Sequence, residues 1–311
     1  MFDILFCFDE NYNEQALVSI NSLLTKVSEP INVHIIHKNS SSFETRKKIL
    51  QENKNLNNIY LYDFDNSLVD LPKVKTHISE ATYYRLFISK YLPKDISFIL
   101  YLDSDIICLK NPLNELKLLK KQMKIENTII SARVEATRDT GNKLFNRLKL
   151  KNNYYFNAGV LFLDFKQWHK NNIFEKILNI LDNRYEEISD YDQELLNLLF
   201  DGQFTQMKNS LNLQATGSQD MEDVIKIKNE NYFLHYLGKD KPWEIKNLDK
   251  PITQIYQKEY RNATNKKYHI EFKKNKNEIK NLLKMIFLFK FLKLEHPVYV
   301  LQSAFSNLIW K

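Results

Sequence analysis

Two aspartates separated by one residue stand at the end of an apolar run. Asp103 and Asp105 follow residues 98–102, and apolar residues resume at Ile106. The run is short and rich in Ile, Leu, Phe and Tyr, which is typical of a buried central strand. Carboxylates at positions i and i+2 of a strand point to the same side, where they would repel each other if unpaired. A divalent cation relieves this repulsion, and oxygen ligands suit a hard ion such as Mn²⁺ or Mg²⁺.

The aspartate pair has a second interpretation, a polar strand end with two solvated carboxylates, because Asp-x-Asp is a frequent pattern. If the strand ends here, the pair lies at the carboxyl edge of the sheet, where open α/β folds bind ligands. Residues elsewhere in the chain are therefore needed to distinguish a metal site from an ordinary strand end.

Two further stretches contain residue types suited to chemistry. The Asp-Gln-Glu triplet at residues 192–194 begins a predicted helix, and alone it indicates only the usual preference for carboxylates at a helix N-terminus. The stretch 235–243 is more specific. Its His235 is a candidate third metal ligand, although a lone histidine is more often structural. Gly238 permits close backbone approach, and Lys241 supplies a cation suited to phosphate.

The elements that must position these side chains alternate between strand and helix. Apolar runs predict buried strands at residues 2–8, 31–37, 59–64, 98–102, 128–133, 154–164 and 232–236. Apolar spacing of three to four residues, with caps and breakers, predicts helices at residues 14–27, 42–53 with Ser42 as the cap, 80–92, 112–122, 173–187 and 190–200. The polar segment 135–153 is predicted to be a loop that contains a helix. The alternation predicts an α/β fold with a parallel, doubly wound sheet. No Gly-x-Gly-x-x-Gly follows the first strand, so the sequence lacks a dinucleotide-binding fingerprint.

Charge is distributed unevenly along the 311 residues, whose formal net charge is +7. Residues 261–311 contain 11 basic and 3 acidic side chains, and the first 260 residues are almost neutral. A nucleic-acid enzyme would spread basic residues around its active cleft, so we expect no nucleic-acid partner. Cys7 and Cys108 lie in apolar runs and are expected to be buried thiols in a reducing compartment. We expect neither a membrane span, which needs roughly 18 apolar residues, nor a secretory signal.

Six stretches occur in order between residues 1 and 250: F-D-E-N-Y (8–12), T-Y-Y-R-L (82–86), Y-L-D-S-D (101–105), Y-F-N-A-G-V (155–160), D-Q-E-L-L-N (192–197) and H-Y-L-G-K-D-K-P-W (235–243). Together they resemble glycosyltransferase family 8, the retaining sugar-nucleotide transferases. Within that family the chain is most similar to bacterial lipopolysaccharide and lipooligosaccharide galactosyl- and glucosyltransferases. The resemblance implies a GT-A fold, a Rossmann-like and mostly parallel sheet flanked by helices. It also implies UDP-galactose or UDP-glucose as donor and an oligosaccharide or glycolipid as acceptor.

The resemblance assigns metal and donor contacts to individual residues. Asp103, Asp105 and His235 match the ligands of the family's Mn²⁺, for which Mg²⁺ is the other candidate. Asp9 and Asn11 match contacts to the uridine and ribose. The remaining implied donor contacts are Arg85, Ser104, Asn157, Ala158 and Asp192 around the sugar, and Gly238 and Lys241 at the diphosphate.

Catalytic and acceptor residues follow from the same resemblance. Gln193 matches the residue near the reacting anomeric carbon, and Asp192 beside it is the second implied catalytic residue. His77 falls where the family contacts its acceptor. Glu10 and Glu194 stand where close relatives carry Asp, and each places its carboxylate on a longer arm.

The residue types also bear on the mechanism. Retention by double displacement needs a nucleophile on the β face of the sugar, and the neutral amide of Gln193 is a poor one. We therefore favour front-side attack within a short-lived ion pair, in which the leaving phosphate accepts the proton of the acceptor.

Other classes of protein share parts of this pattern. Phosphatases with an aspartate nucleophile share Asp-x-Asp, but they continue with Thr where Ile107 stands here, and we set them aside. An inactive, transferase-like carbohydrate-binding or scaffold protein is the main alternative. A self-glycosylating primer of the same superfamily is a third.

We expect residues 1–260 to form the catalytic domain and residues 261–311 a basic, amphipathic helical extension. Lys273, Lys276, Lys280 and Lys284 recur at helical spacing beside a Phe- and Leu-rich cluster at 282–292, a pattern that fits a segment lying in a membrane interface. This predicts a cytoplasmic enzyme that is peripheral on the cytoplasmic face of the inner membrane, attached to its anionic surface. Deletion of residues 265–311 would then leave UDP-sugar hydrolysis largely intact. The alternative is a helical pair that packs against the catalytic domain or a second subunit.

Overall fold

The computed structural model describes residues 1–65, 80–184, 188, 191–215, 219–238, 240–271 and 276–302. Within these residues the strands are β1 (Phe2–Phe8), β2 (Ile31–His37), β3 (Leu56–Asp63), β4 (Phe98–Leu102), β5 (Ile106–Cys108), β6 (Ile130–Thr137), β7 (Tyr154–Asp164), β8 (Thr205–Gln206), β9 (Leu213–Gln214) and β10 (Phe233–His235). The α-helices are α1 (Asn13–Leu24), α2 (Glu44–Gln51), α3 (Ile88–Tyr91), α4 (Leu113–Glu126), α5 (Arg138–Arg147), α6 (Phe165–Lys170), α7 (Ile173–Arg184), α8 (Tyr191–Phe200), α9 (Met221–Glu230), α10 (Thr253–Thr264) and α11 (Lys276–Phe287). Short 3₁₀ helices span Glu10–Tyr12, Ser40–Phe43, Glu80–Phe87, Asn209–Leu211, Ile245–Asn247 and Lys290–Lys293.

The strands form two sheets. The main sheet has the order β3-β2-β1-β4-β7-β6-β8, and the smaller sheet has the order β5-β10-β9. The half β3-β2-β1-β4 is parallel, with Phe2 opposite Ile31 and Asp3 opposite Ile99. β7 runs antiparallel to both of its neighbours, β4 and β6. The α/β class and the mostly parallel sheet are confirmed.

The antiparallel strand β7 is the part of the sheet that the strand–helix alternation did not predict. The composition of a buried strand does not encode its direction, which depends on how the chain connects it to its neighbours. The antiparallel direction of β7 matters for function. It places Asn157 and Gly159 against the end of β4, where the Asp103 amide donates to the Gly159 carbonyl at 2.9 Å.

Both faces of the main sheet are covered, which explains why its central strands are continuous apolar runs. On β1, Ile4 and Phe6 pack with α1 on one face, whereas Leu5 and Cys7 pack in the core on the other face. Full burial of a large apolar side chain is worth about 1.5–3 kcal/mol. The carboxyl edge of the sheet is therefore built on a well-packed framework. Cys7 and Cys108 are buried free thiols, as predicted.

Two local predictions need correction. Ser42 does not cap a helix, because its hydroxyl donates to the Asn39 carbonyl and accepts from Asn13. A 3₁₀ turn occupies Ser40–Phe43 instead, and α2 begins at Glu44. The helix predicted at 80–92 forms mainly as the 3₁₀ helix Glu80–Phe87, which α3 continues to Tyr91.

The described part of the extension packs on the rest of the protein. Ile245 and Leu248 share a small apolar core with five later residues, which we call the tail cluster: Tyr268, Leu282, Met285, Leu294 and Val300. Helix α10 crosses residue 260, and the domain boundary proposed there stays a prediction. No helix in the described part of the chain is long and apolar enough to cross a membrane.

Candidate functional site

Asp103, Asp105 and His235 meet at the carboxyl edge of the main sheet. One ligand atom from each lies within 4.8 Å of the other two. Nε2 of His235 is 3.8 Å from Oδ2 of Asp103 and 3.3 Å from Oδ1 of Asp105. Two carboxylates and an imidazole form a donor set that suits Mn²⁺ or a similar divalent ion. The structure thus brings the three predicted metal ligands together.

The two aspartates converge for a different reason from the one that the sequence suggested. They do not share a strand, because β4 ends at Leu102 and residues 103–105 turn into β5 of the smaller sheet. The Ile106 amide closes this turn on the Asp103 carbonyl at 3.3 Å. His235 ends β10 directly opposite Ile106. The junction between the two sheets therefore positions all three ligands.

A chain of hydrogen bonds places a proton on Nδ1 of His235. The backbone amide of Gly159 can only donate, and it bonds Oδ1 of Asn157 at 3.0 Å. Nδ2 of Asn212 donates to the same oxygen at 2.9 Å, which leaves Oδ1 of Asn212 to accept from Nδ1 of His235 at 3.0 Å. The other ring nitrogen, Nε2, faces Asp103 and Asp105 and is therefore placed to bind a cation together with their carboxylates.

Asp105 fits a cation site in two further respects. Its Oδ1 is buried and faces Nε2 of His235 at 3.3 Å. Burial alone would raise its pKa, but the nearby Lys241 ammonium and His235 together outweigh this effect and hold the pKa well below its usual value. Nζ of Lys241 lies 2.5 Å from Oδ2 of Asp105 and 2.6 Å from the Tyr236 carbonyl. Asp105 is therefore a carboxylate at neutral pH, the form that binds a cation.

Gly159 leaves the space that His235 occupies. A Cβ at this position would lie 2.2 Å from Cε1 of His235 and 2.9 Å from Oδ2 of Asp103. Gly159 is not among the site residues predicted from the sequence. A glycine inside a buried strand, which often marks close backbone or ligand approach, was the available signal.

Arg85 is buried between two carboxylates of the site. Its Nη2 is 2.8 Å from Oδ1 of Asp103, and its Nε is 3.1 Å from Oδ2 of Asp192. Its Nη1 donates to the Ala158 carbonyl at 2.7 Å. Burial raises the pKa of Asp192 to about 6 although Arg85 opposes this rise. Because each guanidinium nitrogen has a partner in the protein, Arg85 holds both carboxylates in place.

The side-chain amide of Gln193 is fixed by four groups. Its Oε1 accepts from the Ala158 amide at 2.9 Å and from Nδ2 of Asn157 at 3.2 Å. Its Nε2 donates to Oε2 of Glu135 at 2.8 Å and to the Tyr155 hydroxyl at 3.3 Å. Sequence reasoning missed Glu135, an exposed carboxylate beside Gln193, because nothing in the polar stretch after residue 134 distinguishes it. Sequence reasoning also missed Asn212, because the stretch around it has no local pattern that distinguishes this residue.

The remaining predicted donor residues lie at or near the same edge. Asp9 directly follows β1, the parallel neighbour of β4, and its Oδ1 accepts from the Asn11 amide at 3.0 Å. Ser104 is buried between the two aspartates. Gly238 has φ +61°, a left-handed conformation that favours glycine. His77 lies outside the described residues, so its role at the acceptor stays a prediction.

Glu194, one of the two departures from the family pattern, is directed into the protein. It is fully buried, and both terminal nitrogens of Arg147 bind its carboxylate. The longer arm therefore serves a bidentate ion pair. The other departure, Glu10, is an exposed residue of the 3₁₀ helix that follows β1.

Comparison with known proteins agrees with this geometry. Residues 3–247 match the family described as glycosyl transferase family 8. The lipopolysaccharide 1,2-glucosyltransferase of Escherichia coli is 28% identical over 254 residues, 78% of this chain and 73% of that protein. The lipopolysaccharide 1,3-galactosyltransferase of Salmonella typhimurium is 27% identical over 253 residues, again 78% and 73% of the two chains.

Among solved structures, the crystal structure of the galactosyltransferase LgtC in complex with donor and acceptor sugar analogs matches with a TM-score of 0.70. The match covers 90% of this chain and 100% of LgtC at 21% identity, and it shows the shared GT-A fold. The chain therefore belongs to glycosyltransferase family 8, a family of UDP-hexose-dependent enzymes.

Proposed function

We propose that this enzyme transfers galactose or glucose from the UDP-sugar to a saccharide of lipopolysaccharide or lipooligosaccharide, with retention and with Mn²⁺ or Mg²⁺. The observation that carries the proposal is the convergence of Asp103, Asp105 and His235, each of which offers a ligand atom within 4.8 Å of the other two. A cation site at the carboxyl edge of an α/β sheet suits a diphosphate donor. The names of the glucosyl- and galactosyltransferase relatives support the choice of sugar and acceptor.

The charges of the site match the charge that develops in this reaction. Asp103, Asp105 and His235 would hold the cation, which when bound supplies positive charge beside the leaving diphosphate. The ammonium of Lys241, 2.5 Å from Asp105, is close enough to exchange that partner for a phosphate oxygen. Arg85 would keep Asp103 directed toward the cation. At neutral pH Asp192 is mostly ionised, since its pKa is about 6, and a carboxylate stabilises an oxocarbenium-like sugar.

The contacts of Gln193 favour front-side attack. Its amide oxygen already accepts from the Ala158 amide and from Asn157, which lowers its availability as a nucleophile. We propose that the acceptor hydroxyl attacks from the side of the leaving phosphate, which takes the proton of that hydroxyl. A slow fluorinated donor tests this. A stable glycosyl adduct on Gln193 or Glu135, found by mass spectrometry, would contradict the front-side mechanism.

Donor preference is the most direct test of the proposed function. The protein is incubated with Mn²⁺ and with UDP-galactose, UDP-glucose or UDP-N-acetylglucosamine, and released UDP is measured. We expect release from one of the first two donors and loss of release with a chelator. A preference for the N-acetylated donor would refute the choice of sugar. If no donor turns over but saccharides bind, the protein is the carbohydrate-binding alternative instead.

We also propose that the enzyme lies on the cytoplasmic face of the inner membrane and contacts its anionic surface through the tail. Phe287, Phe289 and Leu292 are 75%, 65% and 62% exposed, in the part of the chain that carries the basic excess. Aromatic and basic residues together suit an anionic interface, where each lysine contributes about 1 kcal/mol.

Vesicle co-sedimentation at low and moderate salt tests this attachment. Replacing Phe287 and Phe289 with Ser should release the protein from anionic vesicles. Leu118→Ser is the matched control, because Leu118 is 55% exposed on α4. Full-length protein that stays in the supernatant at both salt concentrations would refute the attachment.

A further inference from the structure

The backbone of Lys241 is held by a short helix that follows it. The Lys241 carbonyl accepts from Nδ2 of Asn247 at 3.0 Å and from the Glu244 amide at 3.2 Å. Asn247 is the last residue of the 3₁₀ helix Ile245–Asn247 and is buried. The position of Lys241 at Asp105 therefore depends on where this helix lies.

The tail cluster packs on the same helix. Ile245 and Leu248 are 1% and 0% exposed, and their partners in this core are residues of the tail cluster. Asp249 adds an ion pair with Nζ of Lys290 at 2.6 Å. Without these partners, Ile245 and Leu248 would be exposed to water, and the helix would lose the packing that fixes it.

A second attachment holds the start of the loop and does not depend on the tail cluster. Trp243 is buried against Tyr256 of α10, and Nε2 of Gln257 donates to the Pro242 carbonyl at 2.8 Å. The Glu271 amide also donates to the Trp243 carbonyl at 2.9 Å, so the loop is attached to α10, to Glu271 and to the tail cluster. The attachment to the tail cluster is the one that acts through Asn247 on the carbonyl of Lys241.

We propose that the tail cluster is a positioning element of the donor site, which acts through Ile245, Leu248 and Asn247 to keep Lys241 in place for the donor diphosphate. The inference rests on the proposed role of Lys241 in donor binding. It replaces the expectation that residues 265–311 are dispensable for UDP-sugar hydrolysis. The proposed membrane contact and the support of Lys241 would then involve the same segment, because the exposed Phe287 and Phe289 lie in the part of the chain that contributes the tail cluster.

Helix α11 offers variants that separate this role from attachment to a membrane. Leu282 and Met285 are 2% and 4% exposed and belong to the tail cluster. Leu283 and Phe287, on the same helix, are 46% and 75% exposed. Substitution of the first pair by Ala opens the contact with Ile245 and Leu248, whereas substitution of the second pair leaves it in place.

The experiment measures the affinity of the full-length protein for UDP with Mn²⁺ by calorimetry. The double variant Leu282→Ala, Met285→Ala should bind UDP about tenfold more weakly, close to the effect of Lys241→Ala. The control, Leu283→Ala with Phe287→Ala, should change affinity by less than about twofold. In a Lys241→Ala background the Leu282 and Met285 substitutions should add almost nothing, because both act through the same contact.

Several outcomes would overturn the inference. Equal affinities for the buried-pair variant and wild type would refute it, as would a loss of affinity that persists in full in the Lys241→Ala background. If the buried-pair variant fails to unfold cooperatively, Asn247→Leu replaces it, since this change keeps the tail and removes only the bond to Lys241. Unchanged affinity in Asn247→Leu would equally refute the inference. Absence of Mn²⁺-dependent UDP binding in wild type would instead refute the proposed function.

Discussion

His235 occupies the space that a side chain on Gly159 would need. A Cβ at residue 159 would lie 2.2 Å from Cε1 and 2.8 Å from Nδ1 of the imidazole, distances that no packing tolerates. The backbone amide of the same Gly159 begins the hydrogen-bond chain that sets the protonated nitrogen of His235. One residue of β7 thus provides both the space for His235 and the start of the hydrogen-bond chain that orients it.

Gly159→Ala should therefore displace His235 and weaken the cation site. We expect about tenfold or greater loss of affinity for Mn²⁺, the size of effect seen when support of a metal ligand is removed. The measurement is UDP release as a function of Mn²⁺ concentration. Gly141→Ala is the control, because a Cβ there would meet its nearest atoms at 3.4 Å. Wild-type activity of Gly159→Ala at limiting Mn²⁺ would contradict the assignment.

Asp103→Ala and Asp105→Ala should each abolish Mn²⁺-dependent turnover while the fold persists, since each change removes a ligand rather than core packing. His235→Ala should have a smaller effect, because two oxygen ligands remain. Circular dichroism establishes that the variants fold, and Asp139→Ala, an exposed aspartate on α5, is the matched control. The metal assignment fails if either aspartate variant keeps full activity at limiting Mn²⁺.

Asn212→Leu tests the orientation of His235 directly. The substitution keeps the approximate size of the side chain and removes the acceptor for the proton on Nδ1. We expect affinity for Mn²⁺ to fall by about 10- to 100-fold, with turnover largely restored at saturating Mn²⁺. Asn209→Leu, at an exposed position nearby in the chain, should leave affinity unchanged. An equal loss in both variants would show that Asn212 has no specific role.

Arg85→Lys should lower turnover although it preserves the charge. One ammonium cannot replace the three nitrogens that bind Asp103, Asp192 and the Ala158 carbonyl. We expect about tenfold loss in kcat together with a higher requirement for Mn²⁺, from loss of one or two charge-assisted hydrogen bonds. Arg46→Lys is the control, since Arg46 pairs with Glu14 at a partly exposed site. If Arg85→Lys keeps the turnover of wild type, Arg85 forms only an ordinary ion pair, which a lysine can replace.

His269 should make stability depend on pH. Burial against Trp243 and Tyr260 lowers its pKa from 6.5 to about 4, so the folded protein keeps the imidazole neutral where the unfolded chain binds a proton. The contribution of the neutral His269 to the free energy of unfolding is therefore complete above pH 6.5. It is lost as the pH falls toward 4, by up to about 3 kcal/mol.

The measurement is the free energy of unfolding of wild type and His269→Gln across that pH range. Asp192, whose pKa is raised to about 6, contributes with the opposite sign between pH 4 and 6, where stability falls as the pH rises. The contribution of Asp192 is the same in both proteins, so it cancels when the free energy of unfolding of His269→Gln is subtracted from that of wild type. We expect this difference in the free energy of unfolding to shrink as the pH falls. A difference that is constant with pH would contradict a buried neutral His269.

The sequence alone determined the central strands and the residue types of the site. β1, β2, β4 and β7 have the bounds that were predicted, because strands covered on both faces must be continuous apolar runs. The edge strand β3 was predicted less well, since its half-exposed residues include polar ones such as Asn57. The Asp-x-Asp pair, His235 and Lys241 were recognisable because few other side chains can hold a cation or a diphosphate.

Only the tertiary structure decided how these residues act together. Asp103 and His235 lie far apart in sequence and meet because β5 and β10 pair in a second sheet, with β7 antiparallel beside them. Asn212 and Glu135 stand in stretches without a local pattern, and their roles come from the partners that folding places next to them. The dependence of Lys241 on the tail cluster likewise arises from contacts between distant segments. Local composition encodes burial and chemistry, whereas direction, spacing and hydrogen-bond partners depend on long-range packing.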